Sequence, residues 1–274
     1  MGGGILTRPR LDREVDARFN LAMYYQVEGT NLRVLGTMHA FPVENINMPS
    51  WIWDGFDWCE VLFFEAPDWQ SDPDAESVAK LPQGTTLKKL VTPKLWRQLN
   101  ALVTDKQKLT FLKPWVLMVS IETLMFYLKD GVEPQFRQRL AKCPKQVAYL
   151  ETTRNAAKAF ETVPYRVYLK MLEFTLDNPI QRKKASFDFY NAWVEGRIAD
   201  FKNCLNNDPM SSLFPTSGQG MTIARNKNWM ASFKSAFSSS RKTLFVVGAG
   251  HLFGDGGLEQ LLAKEGHPLV PLIT

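Results

Sequence analysis

The chain has little of what commits a sequence to familiar chemistry. Its 274 residues include three cysteines and three histidines. Cys59, Cys143 and Cys204 are scattered and form no CxxC pair. That excludes a paired-cysteine zinc or dithiol motif and points to a reducing compartment rather than a disulfide framework. No cysteine has an activating motif around it, so buried free thiols are the plain reading. Long apolar runs are also missing. The most apolar stretch, Trp115 to Leu128, is too short to span a bilayer and contains Glu122, so it reads as a buried or amphipathic helix. Met1 to Arg10 has three glycines and two arginines but no apolar signal-peptide core. The expectation is a cytoplasmic protein, with export left open if a signal was trimmed. The net charge is +5, yet basic residues are dispersed, with only small clusters such as Arg182-Lys183-Lys184. Without a basic stripe or a nucleic-acid motif, no nucleic-acid partner is expected. Gly254-Asp255-Gly256-Gly257 lacks a Walker lysine and is not a GxGxxG, so it reads as a flexible turn rather than a phosphate cradle.

What is present is a repeated tetrapeptide. Gly36-Thr37-Met38-His39 follows the apolar run Leu32 to Leu35, and Gly248-Ala249-Gly250-His251 follows Leu244 to Val247. Each reads as a short buried strand ending in a tight turn that presents a histidine. Glycine permits the sharp turn and a close approach by a ligand or another backbone. Two such elements far apart in the chain suggest two halves that bring two imidazoles together. His267, beside Pro268, has no such pattern and reads as a surface or structural residue.

Three blocks follow along the chain, read as one domain over 1–274. Asn31 to Asp68 is strand-rich: a strand into the first histidine turn, a short helix over Pro49 to Trp58, and a second strand from Glu60 stopped by Pro67. That order suggests a βαβ unit and a parallel sheet. About 70–215 reads as a large helical insertion. Thr92-Pro93 and Lys113-Pro114 mark helix starts. Pro164 begins another helical run, and Gln181 to Asn206 reads as long and amphipathic, with Phe187, Tyr190, Trp193, Ile198 and Phe201 as its apolar stripe. Gln146 to Glu151 is an island strand, and Pro209 to Gly220 reads as a loop. Met221 to Thr274 returns to α/β: a helix near Lys227 to Ser238, a strand over Thr243 to Val247, a helix from Gly257 to Lys264 ended by Gly266, and a last strand over Pro268 to Ile273. The fold class is α/β, a central mixed or parallel sheet with surrounding helices.

The residues that could carry chemistry follow the strands. His39, His251 and Glu65 offer two imidazoles and a carboxylate, good ligands for a divalent transition metal. Such a metal would lower the pKa of a bound water and polarise a carbonyl. In open α/β sheets, sites gather at the carboxyl ends of strands, which is the reason to group residues so far apart. Glu65 is open between ligand, helix cap and partner of an arginine. Arg225, beside Asn226, is open between binding a substrate carboxylate or oxyanion and a salt bridge at a helix start. Glu151 is open between an acid that supports a ligand from behind, a general base and a further ligand, or neutralisation by Arg154.

These residues, in order, resemble the TraB/PrgY/GumN family, whose animal relatives include the TIKI metalloproteases. The likeness spans about Leu32 to Leu272. It rests on Gly36-x-x-His39, Glu65 before Ala66-Pro67, Leu150-Glu151-Thr152, Trp193-x-x-Gly196, Arg225-Asn226-x-x-Trp229-Met230 and Val247-Gly248-Ala249-Gly250-His251-Leu252. The resemblance implies a central sheet with helices around it, broadly like erythromycin esterase and the haem-binding ChaN proteins. It implies metal-dependent proteolysis supported by manganese or cobalt, with zinc or iron as further candidates. His39, His251 and Glu65 would hold the metal, Glu65, Glu151 and Arg225 would act in catalysis, and Arg225 and Asn226 would line the substrate site. The leading expectation is a metal-dependent hydrolase acting as a peptidase on a peptide or small molecule. The alternatives are a metal-free, esterase-like hydrolase with one histidine as base, and a non-catalytic peptide-binding regulator of the pheromone-shutdown kind. Haem binding is a fourth reading. Oligomeric state is open.

Overall fold

The computed structural model describes residues 23–43, 48–69, 71–210 and 222–272. Two largely buried strands run through its centre. In β7 (Thr243–Gly248) every residue is buried, and in β2 (Leu32–Thr37) all but Arg33 are. Strands covered on both faces read as continuous apolar runs rather than alternating ones, which is why both histidine turns follow such runs. β2 and β7 pair in parallel, from Leu32 opposite Thr243 to Thr37 opposite Gly248. β4 (Val61–Phe64) lies parallel on the far side of β7, and β6 (Gln146–Tyr149) lies parallel outside β4. On the other edge, β1 (Tyr24–Val27) runs antiparallel to β2, and β8 (Leu269–Pro271) antiparallel to β1. The order is β6-β4-β7-β2-β1-β8, so the sheet is mixed. β1 precedes the first strand read from the sequence and supplies the antiparallel edge.

The expected βαβ unit forms, but its strands are not neighbours. α1 (Ser50–Trp58) carries the chain from β2 across to β4, and β7 fills the gap between them. α1 buries Trp51, Ile52 and Phe56. α12 (Ala224–Ala236) lays Phe233 on Phe245, ring centroids 3.9 Å apart, and Phe63 stacks on the same ring at 4.8 Å. Burying aromatics of this size contributes roughly 1.5–3 kcal/mol each. α13 (Leu258–Lys264) ends before Gly266, whose φ of +84° supplies the left-handed turn into β8.

The middle of the chain is helical, as its periodicity predicts: α2 (Asp74–Ala79), α3 (Leu87–Leu90), α4 (Pro93–Leu102), α5 (Lys106–Phe111), α6 (Pro114–Phe126), α7 (Val132–Leu140), α8 (Thr153–Glu161), α9 (Tyr165–Asp177), α10 (Pro179–Val194) and α11 (Ile198–Asn207). The Thr92 hydroxyl accepts from the Leu95 N–H at 3.1 Å, an N-cap ahead of Pro93. These helices have apolar cores of their own, one built on Leu87, Leu95, Leu99 and Leu172, another on Trp115, Tyr168 and Met171.

One reading of this region needs revision. The long stretch from Gln181 to Asn206 is two helices, because Gly196 adopts φ +64° and breaks it. Tyr190, Trp193 and Phe201 of its stripe are still buried against the sheet's core. The region also joins the sheet: its island strand forms β6, and β5 (Lys129–Asp130) pairs antiparallel with β3 (Ala40–Phe41) just past the first histidine turn. From residue 211 on, the loop expected over Pro209 to Gly220 lies outside the described residues. Among the described residues no helix is long and apolar enough to cross a membrane.

Candidate active site at the carboxyl ends of four parallel strands

Each of the four adjacent parallel strands delivers one polar residue just past its carboxyl end. In sheet order they are Glu151 after β6, Glu65 after β4, His251 after β7 and His39 after β2. The strand pairing continues past the named strands, with the Glu151 N–H donating to the Glu65 carbonyl at 2.9 Å. This is the position where open parallel sheets collect their ligands.

Glu65 is the hub. Its Oε2 accepts from Arg225 Nη2 at 2.6 Å, and its Oε1 accepts from the Gly248 N–H at 2.7 Å. The same Oε1 lies 3.7 Å from His39 Nε2 and 3.7 Å from His251 Nε2. Burial alone would raise the pKa of this carboxyl. Charge on Arg225 and His39, together with the Gly248 N–H, overrides burial and holds it far below the usual carboxylate range.

Arg225 leaves the first turn of α12 and reaches both carboxylates. Its Nε donates to Glu151 Oε1 at 2.6 Å, and its guanidinium carbon sits 4.9 Å from the centre of the Trp229 ring, one helical turn along. Burial acts against the charged guanidinium, but Glu65 and Glu151 outweigh it and raise the Arg225 pKa. Glu151 moves upward, chiefly through burial, with Arg225 opposing. Its partner is therefore Arg225. Arg154 instead pairs with Asp74 at 2.8 Å.

The tautomer of His251 follows from Asn226. The Asn226 amide nitrogen donates to the carbonyls of His251 and Gly256, each at 3.0 Å. Its Oδ1 must then accept, and it lies 2.6 Å from His251 Nδ1. Nδ1 therefore carries the hydrogen and Nε2 presents a lone pair. Burial holds this imidazole neutral, with its pKa lowered to about 3. Trp229 packs on its face at 4.5 Å, and Arg225 Nη1 approaches Nε2 at 3.3 Å.

His39 is held from a different side. Its Nδ1 lies 3.1 Å from Glu133 Oε1, at the start of α7, and the Thr37 hydroxyl donates to that same oxygen. The Glu133 carboxylate is the main cause that raises the His39 pKa, to about 9. The side chain is 62% exposed, so solvent moderates this pull. The turn itself is clamped: the N–H groups of Gly131 and Val132 donate to the carbonyls of His39 and Met38, each at 3.0 Å. A Cβ on Gly131 would lie 2.0 Å from the Met38 oxygen, so only glycine allows this approach.

The space between the imidazoles depends on Gly248. A Cβ there would stand 2.7 Å from His39 Nε2 and 3.3 Å from Glu65 Oε1. Beside it lies a cavity of about 380 Å³ whose wall includes His39, His251, Phe189 and Phe201, with Glu122 and Arg182 from the helices. Arg225, Asn226, Glu65 and Glu151 do not line it. Among the described residues no three His, Cys, Asp or Glu side chains already stand at metal-binding spacing. Ligand atoms bonded to one zinc-like cation at about 2.0–2.2 Å stand about 3.0–3.6 Å apart, and each histidine Nε2 stands at 3.7 Å from the Glu65 oxygen, outside that range. In donor type, tautomer and charge they suit a divalent cation: two Nε2 atoms face one carboxylate oxygen, in a cluster of three carboxyl groups and one guanidinium.

The structure thus brings together His39, His251, Glu65, Arg225, Asn226 and Glu151, all named from the sequence. His267 lies apart, its ring on Phe237 and its Nδ1–H donating to the Glu28 carbonyl at 2.9 Å. Glu133 was not read from the sequence. Its signal is faint: an acidic residue in the first turn of a helix, two positions after a glycine.

A mixed α/β fold with its polar cluster at the carboxyl ends of parallel strands defines the class. Within that class the chain belongs to the TraB/PrgY/gumN family, whose model matches residues 24–270. No curated protein and no solved structure matches it.

Proposed function

We propose that this protein is a metal-dependent hydrolase that cleaves peptide bonds, with His39, His251 and Glu65 as ligands of a divalent cation. Manganese or cobalt is favoured, and zinc or iron is compatible with the donors. The observation that carries the reading is the shared aim of the two histidines. Each is fixed through Nδ1 by a side-chain oxygen, and each points Nε2 at the same Glu65 oxygen from 3.7 Å. Metal-bound histidines engage their second ring nitrogen in this way. A bound cation would supply water activation and carbonyl polarisation. The chain's own residues do the rest. Arg225 holds Glu65 and Glu151 in place, and these contacts leave little of its donor capacity for substrate. Asn226 sets the His251 tautomer. The cavity admits a peptide segment or small amide, with Phe189 and Phe201 offering apolar contact.

Elemental analysis of the purified protein, and of Glu65→Ala and the His39→Ala/His251→Ala double variant, tests the proposal. Near-stoichiometric metal that disappears in the variants, together with chelator-sensitive peptidase activity, is expected. A double variant that keeps both metal and activity refutes it.

One contact favours a second reading. Arg225 Nη1 already faces the His251 Nε2 lone pair at 3.3 Å. A metal-free hydrolase would leave that contact intact and use His39, open to the cavity and backed by Glu133, as general base in alkaline solution, once the ring has lost the proton that Glu133 favours. Hydrolysis that survives exhaustive chelation selects this reading.

A further inference from the structure

We propose that Glu133 is a positioning residue for His39, contributed to the site by the helical middle of the chain. The inference rests on His39 being a site residue and holds whether or not a cation binds.

Three observations carry it. First, Glu133 Oε1 is the side-chain oxygen at His39 Nδ1, at 3.1 Å. A carboxylate accepts only, so the contact keeps the hydrogen on Nδ1 and turns Nε2 toward Glu65. Second, the carboxylate is itself oriented. The Thr37 hydroxyl, at the end of β2, donates to the same Oε1, and the first turn of α7 favours negative charge there. The Gly131 and Val132 N–H groups fasten that helix start to the Met38 and His39 carbonyls, and β5 pairs with β3 immediately beside it. Third, the other carboxylate oxygen, Oε2, is buried with no hydrogen-bond partner among the described residues. A group kept for packing would not be left with a buried, unbonded oxygen, whose desolvation is costly. Glu133 is therefore built to face His39 at some expense to the fold, and the middle of the chain supplies part of the site rather than only covering it.

Ring ¹H–¹⁵N correlation spectra of histidine-labelled, chelator-treated protein at one fixed pH test this, with His39→Ala assigning the His39 signals. The wild type is expected to show His39 with Nδ1 protonated. Glu133→Ala, and Glu133→Leu as the volume-matched variant, should lose that pattern while His251, locked by Asn226, keeps its own. Manganese affinity should fall about 10–100-fold in both variants. A wild-type His39 protonated on Nε2 alone, or variants whose His39 spectrum or manganese affinity matches wild type, would reduce Glu133 to a packing residue. If wild-type protein binds no manganese, the proposed metal function fails and the ring spectra alone decide Glu133.

Discussion

The Nδ1 of His251 and the Oδ1 of Asn226 lie 2.6 Å apart, and the Asn226 amide nitrogen is committed to two backbone carbonyls. One amide thus fixes a ring tautomer and ties the histidine turn to the glycine turn at Gly256. Asn226→Leu removes three hydrogen bonds, two of them buried, and leaves the carbonyls and Nδ1 without the amide. A loss of about 2–4 kcal/mol is expected in urea unfolding, together with loss of cation binding. A variant of wild-type stability would show that the contact is incidental.

Gly248→Ala is the smallest change that enters the site, since its methyl would stand 2.7 Å from His39 Nε2. The ring must swing away from Glu65. Because about 1 Å of misplacement can cost about 10²-fold in rate, turnover should fall to that extent while the circular dichroism spectrum is kept. Retention of more than half the wild-type rate would place the chemistry elsewhere.

Arg225 is buried between two carboxylates, so Arg225→Ala strands both. Breaking a buried pair by removing one partner costs about 3–5 kcal/mol, read as a lowered denaturation midpoint. Arg225→Lys should recover little of it, because an ammonium cannot span Glu65, Glu151 and His251 as the planar fork does. Full recovery with lysine would mean that charge alone matters at this position.

The two site histidines shift in opposite directions, and in metal-free protein their effects on stability have opposite signs. His251 stays neutral in the fold down to about pH 3, whereas the unfolded chain takes up its proton below about pH 6.5. Stability therefore falls as pH drops below about 6.5, by up to about 1.4 kcal/mol per pH unit. His39 has a folded pKa raised toward about 9. Its contribution is complete below about pH 6.5 and is lost as pH rises through the folded value, more weakly because the ring is largely exposed. Urea midpoints at pH 5, 6.5 and 8.5 should peak at 6.5, and His39→Gln should flatten only the alkaline side. A midpoint that rises steadily to pH 8.5 would contradict the His39 assignment.

Much of the site was legible because chemistry and local pattern coincide there. Leu244 to Val247 is an unbroken apolar run and Leu32 to Leu35 is broken only by Arg33, and a glycine and a histidine follow each. Doubly buried strands and sharp turns leave that signature. Glu65 and Glu151 could be grouped with them because each also ends an apolar strand. The neighbour relation was not legible: β7 slips between β2 and β4 through pairings more than 180 residues apart, which no local pattern records. β1 was missed because Tyr24 to Val27 is short and includes a polar Gln26. Glu133 was missed because its role depends on α7 being fastened to the Met38–His39 carbonyls. The break at Gly196 was missed because the apolar stripe continues across it from Trp193 to Phe201.

The pairing of Thr37 opposite Gly248 also bears on synthesis. Thr37 and Val247, whose hydroxyl and carbonyl meet at 3.2 Å, stand 210 residues apart in sequence. The ribosome delivers His39 early, yet the Gly248 N–H for Glu65, the His251 ring and the central strand between β2 and β4 all come from the last part of the chain described here. Translation products that stop short of this strand carry every named side chain of the site except His251, and none of the assembled centre. A centre arranged in this way assembles only after this strand has been made.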